Sequence, residues 1–119
     1  MKTIVRLSLV MLSIITILPL IRCDSNDTIK TVTFKDGSKY TGQMKNSMKH
    51  GFGKYTWADG RQYIGYWDNG KQHGLGKYIL EGGFQIGRWV KGKRSTWLTE
   101  EEIDELKDEP AFARILKTN

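Results

Sequence analysis

A 23-residue period constrains this chain more than any other feature. Tyr40, Gly42, His50, Gly51, Gly53 and Tyr55 return 23 positions later as Tyr63, Gly65, His73, Gly74, Gly76 and Tyr78. A fainter third copy keeps Gly87, Trp89 and Gly92, displaced by 22 from Gly65, Trp67 and Gly70, and carries Ser95-Thr96 where His-Gly is due. Half a copy precedes the first, because Thr31–Gly37 lies 23 residues before Lys54–Gly60. A period of roughly 20 to 50 residues marks an array whose units bury their apolar faces only against neighbours, so a chain of 119 residues built this way is one domain with appendages.

Within each copy the pattern alternates with a period of two, which reads as strands at 38–45, 53–57, 61–68, 76–80 and 85–90. One face then carries Tyr40, Met44, Tyr55, Trp57, Tyr63, Trp67 and Tyr78. The other is mostly polar, with Lys39, Thr41, Gln43, Lys54, Gln62 and Lys77 beside Ile64, Tyr66 and Ile79. Asp36-Gly37, Asp59-Gly60 and Glu81-Gly82-Gly83 fit tight reversals with glycine at positive φ. Asn46–Gly51 and Asn69–Gly74 read as longer connections closed by His-Gly. Glycine weakens strands, and its regular place between a tyrosine and a large apolar residue is explained if each leaves room for a ring to lie flat on the backbone.

These residues resemble the MORN repeat, whose run of Tyr, Gly, large apolar residue, Gly, His-Gly and Gly is met by Tyr63, Gly65, Trp67, Gly70, His73, Gly74 and Gly76. The first copy differs at Ser47, which stands in an expected glycine position. The resemblance implies a mostly β, single-layer, curved antiparallel meander of hairpins. It also implies a groove lined by aromatic side chains, with Tyr40, Tyr55, Trp57, Tyr63, Trp67, Tyr78 and Trp89 as its candidate partner-binding residues.

The flanks read differently. Lys2 and Arg6 precede a 15-residue apolar stretch, Leu7–Ile21, which suits the core of a secretory signal; an uncleaved anchor over Ile4–Ile21 is the competing reading. Residues 1–22 are therefore expected to form a signal helix or anchor, and the protein to be exported to the cell envelope or secreted. Cys23 is the single cysteine, so no internal disulfide exists. Leu20-Ile21-Arg22-Cys23 is similar to the lipidation box of bacterial lipoproteins, with Arg22 where that pattern has a small residue, and ordinary signal cleavage is the alternative. Residues 23–29 read as a tether, 30–97 as the array and 98–119 as an acidic helical cap. In that cap, Thr99 and Glu102 form a capping box with Leu98 and Ile103 as its staple. A second helix after Pro110 offers Phe112, Ile115 and Leu116 to cover the open end or the groove of the sheet.

Charge divides along the same line. Residues 28–97 hold 13 Lys and Arg against 4 acids, whereas 98–119 hold 7 acids against 3 bases. Such asymmetry bears on solubility, self-association into homo-oligomers and anionic partners. Lys39, Lys45, Lys49, Lys54, Lys71 and Lys77 offer repeated cationic points to anionic lipid. Aromatics among cations also suit nucleic acid, which export disfavours. Nothing has the form of a phosphate loop, a nucleophilic triad or a catalytic acid pair. His50 and His73 fall two strand spacings apart, about 9.6 Å, too far to share one ion. The sequence thus points to a non-enzymatic binding or scaffold module without cofactor or metal. Its expected partner is a peptide or protein, and anionic membrane is the alternative.

Overall fold

The computed structural model describes residues 28–119. The expectations for the targeting segment, for Cys23 and for nearly all of the tether lie outside them. Seven strands follow in chain order: β1 (Ile29–Thr33), β2 (Lys39–Lys45), β3 (Met48–Thr56), β4 (Gln62–Asp68), β5 (Lys71–Leu80), β6 (Gly83–Val90) and β7 (Lys93–Trp97). They form one antiparallel sheet whose spatial order is the sequence order, an open meander. Two short helices close the chain, α1 (Glu100–Leu106) and α2 (Pro110–Lys117).

The register keeps each repeat in phase with the next. Tyr40 pairs with Tyr55, Tyr55 with Tyr63 and Tyr63 with Tyr78, so one row of tyrosines crosses the sheet on one face. Gly42, Gly53, Gly65, Gly76 and Gly87 make the adjacent row. A Cβ at Gly53 would strike the Tyr40 ring, and one at Gly76 the Tyr63 ring. The glycines leave that space to the rings, as the sequence pattern predicts.

The longer connections differ from expectation. Asn46-Ser47, Asn69-Gly70 and Lys91-Gly92 are two-residue turns with φ of 50° and 61°, 47° and 81°, and 48° and 84°. Two left-handed residues in succession give the turn whose twist suits a hairpin. The remaining residues of each connection, His-Gly included, belong to the strand as a bulge. His50–Phe52 stand opposite Gln43 alone, because Gly42 pairs with Gly53 and Met44 with Lys49. In the second repeat His73–Leu75 stand opposite Tyr66. Side chains close the gap: Phe52 N–H donates to Gln43 Oε1 at 2.6 Å, and the Tyr40 hydroxyl donates to the Gln43 carbonyl at 2.6 Å. In the third repeat the shift is a single residue, between the pairs Arg88–Thr96 and Trp89–Arg94, and β7 forms where no strand was expected.

The C-terminal helices correct a second expectation. Thr99 does cap α1: Glu102 N–H donates to Thr99 Oγ1 at 3.3 Å, and Thr99 N–H donates to Glu102 Oε2 at 2.9 Å. Yet α2 does not lie on the aromatic face. Ile115 packs with Phe52 and Ile64, flanked by Tyr66, Leu75 and Ile79, on the opposite side of the sheet. Phe52 and Leu75, next to Gly53 and Gly76, alternate to that side and add apolar area to Ile64 and Ile79, so the face read as mostly polar holds a second core. Lys77 Nζ donates to the Thr118 carbonyl at 2.6 Å and Lys54 Nζ to the Asn119 carbonyl at 3.0 Å. These ammonium groups meet the negative end of the α2 dipole.

Candidate functional site

With α2 on the opposite side, the aromatic face is left open by the described residues. Its floor is made of Tyr40 and Tyr63, both fully buried, with Trp67 and Trp89 each 6% exposed. Neighbouring rings meet edge to face: Tyr40 and Trp67 at 5.6 Å between centroids, Tyr63 and Trp67 at 5.1 Å, Tyr63 and Trp89 at 4.9 Å. Trp89 continues to Trp97 at 5.7 Å. A second row lies nearer solvent: Phe34 to Tyr55 at 5.9 Å, Tyr55 to Trp57 at 4.9 Å, Trp57 to Tyr78 at 5.7 Å. Each such pair contributes about 0.5–1.5 kcal/mol beyond area burial, so the two rows hold each other rigid.

Of the seven aromatics expected to line a groove, Tyr55, Trp57 and Tyr78 keep half-buried edges at the surface. Tyr40 and Tyr63 have no exposed surface and can act on a ligand only by setting the floor. Burial pushes the Tyr40 hydroxyl up to about 12 and raises that of Tyr63 further, which keeps both as neutral hydrogen-bond donors. The Tyr63 hydroxyl donates to the Tyr66 carbonyl at 3.2 Å, repeating the Tyr40 bond one unit on.

Three open pockets run along this face, of about 200, 240 and 240 Å3. The first lies among Val32, Phe34, Tyr40 and Met44, the second among Tyr55, Trp57 and Trp67, the third among Tyr78, Trp89 and Trp97. They are one pocket repeated, since Phe34 precedes Trp57 by 23 residues and Val32, Tyr55 and Tyr78 follow the same interval. Lys49 borders the first two, Gln72 the second and third, and Arg94 the third. Phe34, Met44, Gln72, Arg94 and Trp97 were not among the expected groove residues. The repeat interval places Phe34, Gln72 and Arg94 there; Trp97 follows from β7 alone.

Lys49 is the unusual member. Its Nζ lies 5.0 Å from the Tyr55 and Trp67 ring centroids, 5.5 Å from Phe34 and 6.0 Å from Tyr40. Burial lowers its pKa, and the ring faces compensate part of the lost hydration. Arg94 stacks on Trp97 at 4.3 Å. Among the described residues neither cation has a carboxylate within ion-pair distance. The six lysines expected to meet lipid do not gather on one face. Lys49 stands in the aromatic groove, Lys54 and Lys77 hold the end of α2 on the other face, and Lys39 and Lys45 alternate to that same side. Lys71 is exposed at the start of β5.

Each histidine contacts the next hairpin along the sheet. His50 Nδ1 lies 3.5 Å from Asp68 Oδ1 without hydrogen-bond geometry, and His73 Nδ1 accepts from Lys91 N–H at 3.3 Å. Among the described residues no three His, Cys, Asp or Glu side chains gather as a metal site. No described helix is long and apolar enough to cross a membrane.

The family model of the MORN repeat matches residues 40–60 and 63–83. The chain carries two MORN repeats. No curated protein gives a significant match. The two matched MORN units supply β2–β3 and β4–β5, and the flanking strands extend the same pattern on both sides. MORN repeats generally bind proteins or membranes, and the MORN unit is a binding module rather than a catalytic one.

Proposed function

We propose that this protein is a non-enzymatic binding or scaffold module at the cell envelope that takes a peptide or protein partner in its aromatic groove. One observation carries this reading: among the described residues the face lined by Tyr55, Trp57 and Tyr78 is uncovered and pocketed, while α2 occupies the opposite face. Aromatic anchors in preformed pockets dominate protein interfaces. The lipid alternative has less support, because its six lysines are divided between faces and Lys54 and Lys77 are already engaged. The apolar stretch Leu7–Ile21 supports export, and Cys23 is the point at which a lipid anchor would be attached.

Photo-crosslinking in cells tests the groove. A photoreactive residue at Gln72, mid-groove, should trap a defined adduct, whereas one at Lys39 on the other face should not. Equal adducts at both positions, or replacement of the Gln72 adduct by lipid, would defeat the reading. The mass of the mature N-terminus tests the location: acylated Cys23, a later free residue or an intact Met1 would distinguish lipoprotein, secreted protein and anchored protein.

A further inference from the structure

The groove repeats at two strand spacings, about 9.6 Å, and that pitch discriminates among partner conformations. Side chains of a bound helix return to one face every seven residues, a rise of about 10.5 Å, which slips by almost 1 Å at each pocket. An extended strand presents one face at about 6.6 or 13.2 Å and places every third residue on the wrong side. A polyproline II segment has three residues per turn and rises about 9.3 Å in that turn. It alone keeps register over three pockets, and aromatic-lined grooves suit its fixed, low-entropy shape.

Charge narrows the partner further. Lys49 and Arg94 are equivalent positions two units apart, hence separated by about 19 Å, and neither has a carboxylate partner among the described residues. Six residues of polyproline II cover about 18.6 Å. The acids of the array, Asp36, Asp59, Asp68 and Glu81, lie in turns or at strand ends and leave the strand interiors of the groove face without negative charge. An incoming carboxylate would therefore meet a half-buried ammonium at one end and a stacked guanidinium at the other.

We propose, resting on the groove reading above, that the occupant is an acidic, proline-rich segment in the polyproline II conformation. An apolar residue at every third position sits in successive pockets, and carboxylates six residues apart reach Lys49 and Arg94.

All four tryptophans, Trp57, Trp67, Trp89 and Trp97, belong to this face, so intrinsic emission of the full chain reports its occupation. Three synthetic peptides of equal charge serve as probes: prolines at every third position between glutamates, the same residues in shuffled order, and a helix with leucines at heptad spacing. The first should bind about tenfold tighter than either control. A Lys49→Gln/Arg94→Gln variant should lose that preference along with most of the salt dependence. Equal affinity of the shuffled peptide would overturn the inference. Tighter binding of the helix would overturn it while leaving the groove reading intact. Unchanged tryptophan emission with all three would also overturn it, and the Gln72 crosslink then decides the groove reading separately.

Discussion

At the scale of single residues, ring and glycine act as one unit. The ring of Tyr63 occupies the volume that a Cβ at Gly76 would need, and it is clamped from the other side by Trp67 and Trp89. Gly76→Ala should therefore cost about 1–3 kcal/mol through overpacking, read as a lower urea midpoint in tryptophan emission. Ser47 carries the opposite lesson. Its φ of 61° lies in the left-handed region that Gly70 and Gly92, at 81° and 84°, occupy without strain in the equivalent turns. Ser47→Gly should stabilise by roughly 0.5–1 kcal/mol, the left-handed penalty less the entropy that glycine loses on folding. Tyr40 gives a pH dependence of definite sign. Its folded pKa of about 12 lies above the unfolded value of about 10. The unfolded chain then releases this proton first, so the contribution is complete below about pH 10 and is lost as pH rises towards about 12. Thermal melts across that interval should fall, and Tyr40→Phe should flatten the decline.

At the scale of elements, what could be read from the sequence depended on parity. Tyr40 to Met44 and Tyr63 to Trp67 alternate without interruption, so their shared face follows from spacing alone, and the Thr99–Glu102 box fixes the start of α1 as plainly. Alternation carried back from Tyr55 and Tyr78 puts Phe52 and Leu75 opposite the rings, but both precede the strands expected at 53–57 and 76–80 and fall in stretches that read as connections. The strand runs back to Met48 through a bulge opposite Gln43, closed by the Gln43 side chain and the Tyr40 hydroxyl, and no local pattern records it. Hence the second core and the seat of α2 were not legible, although the helix itself was. The three pockets are partly legible: spacing gives the tyrosines and tryptophans, but Lys49 lies in a stretch that reads as a connection and so joins the lipid-facing lysines, and Arg94 lies beyond the last strand expected. The docked helix makes its own prediction. Ile115→Ala should cost about 2–5 kcal/mol of docking, and hydrogen exchange should show lost protection in α2 with β3 to β5 unchanged.

At the scale of the whole molecule, the meander pairs each strand only with its neighbours in sequence. Stability is then close to a sum of unit and interface contributions, and among the described residues the strands at either end, β1 and β7, keep one unpaired edge each. Lys30 on β1, with Lys93 and Arg94 on β7, places positive charge on both edges, which discourages end-to-end stacking of copies. Raising ionic strength should weaken that repulsion, and light scattering at high salt should show association that is absent at low salt. The same open order makes length an adjustable quantity. Duplicating residues 61–83 in place would add two strands and another binding cup without disturbing a closed core, so reach would scale with copy number in the manner of a ruler with one more division.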